Sequence, residues 1–251
     1  MHLSFVLLPS QRPLDGSAIV AAHARIFPGI PTPLVSSNAP EMIELRFPDG
    51  VAMHVALMPA AIPNGEAESA ARFSLAAFSR AGGAGAPHGA HLVVATTTKA
   101  TSTETLIRHT RVVAACVVAC EAIAVYEGNA SATHPAGFYV DVATSTEFPL
   151  MLWSGVSIAP EPDGRTGILT LGAAKTVGVP DMMVVTPKGN ANEALAFLFD
   201  LLAYVARRGQ PLPDGDTVGR TAQEKLKVRY VASPVDPGIT VARIDLPTSA
   251  S

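Results

Sequence analysis

Two short turn signatures constrain the fold of this chain more than any other feature. Residues 48–50 are Pro-Asp-Gly and residues 160–164 are Pro-Glu-Pro-Asp-Gly, and each turn separates two runs of strand-forming residues. These residues favour tight turns, because proline presets φ and glycine accepts a positive φ. A connection this short joins antiparallel neighbours. The sequence therefore predicts β-hairpins and a mainly antiparallel sheet.

The strand before the first turn has the alternation of a half-buried strand. Ile43 and Leu45 point to one face, and Glu44 and Arg46 point to the other. The N-terminal region follows the order β-α-β-β-α-β, with elements at residues 2–8, 15–27, 41–47, 51–58, 66–80 and 91–96. This order is typical of a ferredoxin-like, split βαβ arrangement. We predict an α+β fold with helices packed on one face of the sheet.

The second half of the chain continues with elements of the same kinds. Ser102 or Thr103 as N-cap and Glu104 in the first turn favour a long helix over residues 103–123. A second helix, residues 192–208, is amphipathic and ends before Gly209. We also predict a short helix at residues 137–146 and strands at residues 149–158, 165–171, 182–186, 215–219, 226–231 and 239–246.

The length of 251 residues permits one large domain or two small ones. Because no long linker interrupts the chain, we predict one continuous globular unit. A subdivision into a ferredoxin-like part, residues 1–100, and a second part, residues 101–247, stays open. Residues 248–251 are predicted to form a loose tail.

Composition and charge exclude several classes of protein. Hydrophobic residues make up 48% of the chain and charged residues 16%, which excludes an intrinsically disordered protein. A net charge of −3 lacks the basic excess of a general nucleic-acid binder or a polybasic membrane anchor. The longest apolar run, residues 112–123, is too short to span a membrane and contains Glu121. The first residues lack the positive region of a signal peptide, so we expect a soluble, cytoplasmic protein.

The residues that usually hold metals or cofactors occur in patterns that do not favour such sites. Cys116 and Cys120 are four apart in the predicted long helix, which indicates buried, reduced thiols on one face. His88 and His91 lack a nearby carboxylate or third histidine. The glycine-rich residues 82–89 precede a strand and no lysine follows, unlike a phosphate-binding loop. We therefore expect no metal and no cofactor.

Residues 213–219, Pro-Asp-Gly-Asp-Thr-Val-Gly, are the most distinctive segment of the chain. They predict a tight turn in which Asp214 caps backbone N–H groups and the glycines supply unusual conformations. Calcium would require further oxygen ligands at regular spacing, and these are absent from the segment. Binding of another ligand by residues 214–219 stays open as an alternative.

Seven charged side chains are candidates for contact with a partner. Turn signals place the four carboxylates on exposed loops, and the three cations alternate with apolar residues, as on an exposed strand with a basic outer face. Such cations protect a sheet edge or meet an acidic partner. The seven residues are Glu161, Asp163, Asp214, Asp216, Lys225, Lys227 and Arg229.

The C-terminal half resembles a known family. The similar segments are Tyr-Glu-Gly-Asn at 126–129, Leu-Trp-Ser-Gly at 152–155, Leu-Gly at 171–172, Gly-Val-Pro-Asp at 178–181, Ala-Tyr-Val at 203–205, Gly-Asp-Thr-Val-Gly at 215–219 and Glu-Lys-Leu-Lys-Val at 224–228. Over residues 120–246 the chain is similar to the bacterial family known as domain of unknown function 4261. The resemblance implies no catalytic residue, and it associates the chain with bacterial toxin–immunity neighbourhoods.

We therefore expect a non-enzymatic protein-binding protein, and in particular a cytoplasmic immunity protein that neutralises a bacterial toxin or effector. No nucleophile, base and orienting group occur at motif spacing. The mildly acidic charge suits a protein that covers a basic enzyme cleft. Two alternatives stay open: a small-ligand-binding protein or enzyme that uses residues 214–219, and a homo-oligomeric structural or regulatory module. Neither nucleic acid nor membrane is expected as a partner.

Overall fold

A computed structural model describes residues 2–78, 87–97 and 102–247. Contacts between Cα atoms divide the chain into Met1–Leu152, called unit 1, and Trp153–Ser251, called unit 2. One continuous globular unit stays a prediction, as does a division near residue 100. Residues 248–251, predicted as a loose tail, lie outside the described residues, as does most of the glycine-rich stretch 82–89.

Unit 1 is built on a seven-stranded sheet. Its strands are β1 (His2–Leu8), β2 (Leu34–Ala39), β3 (Met42–Arg46), β4 (Ala52–Met58), β5 (Ala90–Thr96), β6 (Ala124–Glu127) and β7 (Ala132–Pro135). They lie in the order β2-β3-β4-β5-β1-β6-β7, and every neighbouring pair is antiparallel. Strands β3 and β4 form the hairpin predicted around residues 48–50, with Met42 paired to Ala56 and Arg46 paired to Ala52.

Strand β2 is not predicted by the sequence pattern. It begins directly after Pro33 at the edge of the sheet, and almost all its residues are exposed, so it shows no apolar alternation. With β2 added, the predicted strands of the N-terminal region are present. The ferredoxin-like arrangement itself is not confirmed, because β5 rather than β1 lies beside β4.

In the described part of unit 1, this sheet is accompanied by the helices α1 (Gly16–Ile26), α2 (Glu66–Ala70), α3 (Thr103–Ala119) and α4 (Ala136–Ser145). The Asp15 carboxylate caps α1 by accepting hydrogen bonds from the amides of Ser17 and Ala18. Helix α3 begins as predicted, because Ser102 Oγ accepts a hydrogen bond from the Thr105 amide at 3.1 Å. It packs against α1, α4, β1 and β5, which places it in the core of unit 1.

The helix predicted over residues 66–80 is wrong in its extent. Helix α2 ends at Ala70, and short 3-10 turns follow at Ala71–Phe73 and Leu75–Phe78. Between these turns Ser74 is extended, with ψ of 139°. Its hydroxyl is 2.9 Å from His134 Nδ1 and accepts a hydrogen bond from the amide of Ala76. This tertiary contact interrupts the helix; residues 79 and 80 lie outside the described part.

The two cysteines lie near the end of α3. Cys116 is inside the helix and Cys120 is its C-terminal cap; both are buried and free. Burial raises the pKa of the Cys116 thiol well above its usual value. The prediction that both thiols are buried is confirmed. Within the described ranges, no helix has the length and apolar character needed to cross a bilayer.

Unit 2 is built on a six-stranded sheet. Its strands are β8 (Gly155–Pro160), β9 (Thr166–Leu171), β10 (Met182–Thr186), β11 (Thr217–Val218), β12 (Leu226–Ala232) and β13 (Thr240–Asp245). They lie in the order β11-β12-β13-β10-β9-β8, with β10 parallel to β13 and the other pairs antiparallel. Strands β8 and β9 form the hairpin predicted around residues 160–164. The predicted α+β class with mainly antiparallel sheets is confirmed.

The strand predicted over residues 149–158 is wrong in its first half. Residues 150–153 form a helical turn, α5 (Leu150–Trp153), and β8 starts only at Gly155. Leu152 and Trp153 are almost completely buried. A short apolar run suits a buried helical turn as well as a buried strand, so its periodicity does not separate the two.

Two further helices, α6 (Ala173–Thr176) and α7 (Ala191–Arg208), belong to unit 2. Helix α7 packs on β9 and β10, with Leu198, Leu202 and Val205 fully buried. It ends as predicted at Gly209, whose φ of 67° is left-handed. The Gly209 amide donates to the carbonyls of Val205 and Ala206, so these two carbonyls at the end of the helix have a hydrogen-bond partner.

Candidate functional site

A groove of about 760 Å³ lies in unit 2 between helix α7 and residues 212–220. We call it the α7 groove. The helix contributes side chains spaced three or four residues apart, which places them on one face. The charged, aromatic and large apolar side chains on this face are Glu193, Phe197, Asp200, Leu201, Tyr204 and Arg208.

The opposite wall of the α7 groove, residues 212–220, is fixed in place by hydrogen bonds with Tyr230 of β12. The hydroxyl of Tyr230 donates to the carbonyl of Leu212 at 2.8 Å, and Asp214 Oδ1 accepts from the Tyr230 amide at 2.9 Å. Gly215 has a φ of 83°, which favours glycine. The predicted turn is therefore present, and Asp214 caps a backbone N–H group as expected.

The far end of this wall requires glycine at position 219. A Cβ there would lie 2.3 Å from the carbonyl oxygen of Glu224, so no other residue fits without a backbone shift. The Glu224 carboxylate accepts from the Arg220 amide at 2.7 Å and from its guanidinium at 2.5 to 3.2 Å. These hydrogen bonds lower the pKa of Glu224 and neutralise the charge of Arg220.

The floor of the α7 groove is apolar. Phe197, Leu201 and Leu212 are almost fully buried, whereas Tyr204 is 53% exposed above them. Arg208 Nη1 donates to the Tyr204 hydroxyl at 3.4 Å. An aromatic ring with a polar end is thus presented to solvent over a closed apolar surface.

The rim of the α7 groove is mainly acidic. Glu193, Asp200 and Asp216 are exposed along it. Of the two cations that line it in the described part of the chain, Arg220 is already paired with Glu224. Three carboxylates and one further cation, Arg208, thus remain around the α7 groove, which favours a positively charged occupant.

The predicted contact residues divide between two surfaces of unit 2. Asp216 lines the α7 groove, while the carboxylate of Asp214 is engaged by Tyr230. The others lie on β12 and the β8–β9 turn, or just before β12: Glu161, Asp163, Lys225, Lys227 and Arg229. The seven candidate contact residues, which the sequence suggested as one set, therefore belong to separate surfaces.

The second surface surrounds a depression of about 570 Å³ on β12 and β13. Arg243 binds Asp245 at 2.9 and 3.1 Å and Glu161 at 3.0 Å. Arg165 binds Asp163 at 2.7 Å and Asp245 at 2.9 Å. Burial acts to raise the pKa of Asp245, but hydrogen bonds from Arg243 and both arginine charges hold it below its usual value.

Sequence reasoning missed the arginines and the α7 face. Arg165 and Arg243 stand alone in strand sequences, and nothing local links them to Glu161 or Asp245. The α7 face had a signal, because Asp200, Tyr204 and Arg208 recur at helical spacing. An exposed aromatic ring on the polar side of an amphipathic helix is the feature to look for.

Unit 1 contains a buried polar network. Ser4 Oγ is 2.8 Å from His109 Nε2 and donates to Glu127 Oε2 at 2.7 Å. His109 Nδ1 is 2.7 Å from Thr96 Oγ1, and Tyr139 donates to Glu127 Oε1 at 2.9 Å. The network joins β1, β5, β6, α3 and α4. Because the serine hydroxyl is buried and donates to the carboxylate, this geometry does not resemble a serine activated by histidine.

Burial shifts Glu127 and His109, two titratable groups of this network, toward their neutral forms. It raises the pKa of Glu127 to about 7, although hydrogen bonds from Ser4 and Tyr139 act to lower it. Burial, with a smaller contribution from the charge of His2, lowers the pKa of His109 to about 3.

His88 and His91 have structural partners. The Nε2 of His88 accepts from the Ile62 amide at 2.8 Å, and its Nδ1 is 3.0 Å from Glu68 Oε1. His91 Nδ1 is 2.8 Å from the carbonyl oxygen of Ala60. Both histidines thus hold the segment that precedes α2. In the residues that the structure describes, no three histidine, cysteine, aspartate or glutamate side chains form a metal-binding group.

Unit 2 is an α+β domain whose helix and turn enclose the α7 groove, and this is the region that comparison with known proteins identifies. Residues 169–245 match the family model described as "Domain of unknown function (DUF4261)". The resemblance to this family is thus confirmed for about a third of the chain, which includes the whole α7 groove. No curated protein and no solved structure matches the chain.

Proposed function

We propose that this is a non-enzymatic protein-binding protein and that the α7 groove holds a segment of its partner. The observation that carries the proposal is the exposed ring of Tyr204 above the buried floor of Phe197 and Leu201. Tyrosine is enriched among the residues that contribute most to interfaces, because its ring buries a large apolar area and its hydroxyl stays paired.

The charge of the α7 groove indicates what kind of segment fits it. Glu193, Asp200 and Asp216 lie around the apolar floor, while Arg220 is neutralised by Glu224. A partner segment with lysine or arginine beside an apolar anchor would complement both features. Electrostatic complementarity of this kind increases the rate of association and excludes acidic partners.

The partner that we propose is a bacterial toxin or effector, which this chain neutralises in the cytoplasm as an immunity protein. A toxin that acts on nucleic acid has a basic cleft, and a chain with a net charge of −3 and an acidic groove is suited to cover it. The resemblance to the family associated with toxin–immunity neighbourhoods supports the same direction. Nucleic acid, membrane and cofactor have no part in this proposal.

One observation favours a second candidate, a small-ligand-binding protein or enzyme that uses residues 214–219. The volume of about 760 Å³ falls within the range of small-molecule sites. Against it, the Asp214 carboxylate is already engaged by the Tyr230 amide. This candidate would take precedence if no protein complex formed and a small molecule raised the melting temperature in a manner that depended on Asp216.

The test is co-expression with the protein encoded beside this chain in its own genome. We expect the cells to survive and the two proteins to elute together from a sizing column. Tyr204→Ala should weaken the complex by about 30-fold, as for an interface residue worth ~2 kcal/mol. Asp200→Lys should also weaken it, because it reverses a charge of the rim.

Asn192→Lys is the matched control for Asp200→Lys. Asn192 is exposed on the same helix but does not line the α7 groove, so the lysine should leave the complex intact. Cell death despite folded protein, with no complex on the column, would contradict the immunity function. Full binding by both groove variants would contradict the assignment to the α7 groove.

A further inference from the structure

The exposed face of β12 carries two cations that the fold does not use. On this strand Leu226 and Val228 are buried, so Lys227 and Arg229 point to the opposite face. In the ladder with β13, Arg229 is directly opposite Arg243. Like charges at directly opposed positions destabilise a sheet.

The carboxylates at the border of this face are already engaged. Glu161 and Asp245 together surround the guanidinium of Arg243. Asp163 and Asp245 do the same for Arg165. Both arginines of this group are thus neutralised by three carboxylates.

Lys227 and Arg229 stand outside this group. No ion pair joins either of them to a residue in the described part of the chain. Their N–H donors face solvent beside the depression of about 570 Å³. Two uncompensated cations next to a concave surface attract anionic groups.

We propose that this face of β12 binds an extended acidic segment of a protein, with carboxylates two residues apart. Side chains at positions i and i+2 of a strand share one face and are roughly 6.6 Å apart, which applies equally to Lys227 and Arg229 and to the segment. Val231, the next residue on the same face, is half-buried against the apolar cluster that contains Val241, and the rest of its side chain lines the depression at the end of the row.

A nucleic acid fits this face less well. Its phosphates follow one another along the strand, so those beyond Lys227 and Arg229 would meet Glu161, Asp163 and Asp245. An acidic peptide needs only the two free cations. No residue of this face lines the α7 groove, so the two surfaces can be tested separately.

The probe is a fluorescein-labelled peptide, Glu-Thr-Glu-Thr-Glu-Thr, and its binding to the full chain is measured by fluorescence anisotropy at low salt. We expect the Lys227→Gln/Arg229→Gln variant to bind it about tenfold more weakly, as for the loss of two exposed charge pairs. The matched control is Lys175→Gln/Lys188→Gln, which removes the same charge from exposed lysines away from this face. This control should bind like the unmodified chain.

Three results would overturn the proposal. One is equal binding of the peptide with glutamine in place of glutamate, and another is an equal loss in the control variant. The third is tighter binding of a 12-nucleotide single-stranded DNA than of the peptide at the same salt. Tyr204→Ala should leave the peptide affinity unchanged. If the peptide does not bind to β12, the proposed function of the α7 groove is therefore not affected.

Discussion

The histidines of unit 1 and the paired arginines of unit 2 lie in different environments. All seven histidines of the chain lie in unit 1, and six of them are buried. Unit 2 has no histidine, and three of its arginines, Arg165, Arg220 and Arg243, pair with carboxylates near the surface. The buried histidines of unit 1 thus join elements of the fold, whereas these ion pairs of unit 2 lie where water reaches them.

The two environments also differ in how they respond to pH. Removing an ionisable group from water disfavours its charged form, so the buried groups of unit 1 are shifted toward neutrality. The exposed pairs of unit 2 stay charged, because each charge has a partner and water remains near it. The predictions below test this contrast.

Acidification from pH 7 to pH 5 should destabilise unit 1 by about 3 kcal/mol and leave unit 2 nearly unchanged. Burial lowers the pKa of His23, His109 and His134 to about 4, 3 and 4, below the unfolded value of 6.5. The unfolded chain therefore takes up protons that the folded unit does not, and stability falls as the pH drops below 6.5. Glu127 offsets part of the loss, because its folded pKa of about 7 favours the folded form at low pH and disfavours it as the pH rises through 7.

Amide hydrogen exchange, resolved by peptide and corrected for the intrinsic rate, measures the two units separately. His109→Gln should reduce the loss of stability of unit 1 between pH 7 and pH 5 by about 2 kcal/mol, since it removes one of the histidines whose pKa burial lowers, whatever it does to stability at pH 7. An equal loss of protection in unit 2 peptides would contradict the contrast.

Gly219→Ala should destabilise unit 2 by about 2 kcal/mol, because its Cβ would meet the backbone oxygen of Glu224 at 2.3 Å. Unit 1 peptides should keep their protection in the same exchange experiment. Gly238→Ala is the control, since the nearest atom to its Cβ is a side-chain oxygen of Asp236 at 3.3 Å, which can move. A similar effect of both substitutions would show that close approach at Gly219 is not the cause.

Tyr139→Phe should cost about 1.5 kcal/mol at pH 8 and less at pH 5. At pH 8 the Glu127 carboxylate is largely ionised and loses one of its two side-chain donors, whereas at pH 5 it is protonated. Tyr230→Phe in unit 2 removes a single hydrogen bond to the Leu212 carbonyl, and its smaller cost should not vary with pH. Urea unfolding at the two pH values compares the variants, and a pH-dependent cost for Tyr230→Phe would break the comparison.

The smallest effect on stability is expected for Lys227→Gln/Arg229→Gln. Both side chains are exposed and outside the ion-pair group, so the free energy of unfolding should change by no more than about 0.5 kcal/mol. Relief of the opposition between Arg229 and Arg243 would act in the stabilising direction. A loss above about 1 kcal/mol in urea unfolding would show that these cations support the fold of unit 2.

The sequence by itself determined the elements whose signals are local. The hairpin of β3 and β4 follows from alternating residues around a Pro-Asp-Gly turn. Helix α7 follows from its apolar repeat and Gly209, and the turn at Asp214 from aspartate beside glycine. In each case the residues that interact are neighbours along the chain, so the local sequence pattern is enough to predict the element.

Only the tertiary structure decided the contacts between distant polar groups. Ser4 meets His109 and Glu127 across 105 and 123 residues, and Ser74 meets His134 across 60 residues and shortens the predicted helix. Each of these groups has many possible partners in the sequence. Burial removes water as the competing partner, and packing then leaves one partner within reach.

The two candidate surfaces were decided in the same way. Asp216, Lys227 and Arg229 stood out by their charge, but charge alone does not say which side chains are left without a partner. Which charges are left depends on contacts between distant residues. Arg243 pairs with Glu161, and α7 and residues 212–220 form a groove that Tyr204 lines. Whether a charge is free for a partner is a property of its neighbours in space, and those are set only when the chain has packed.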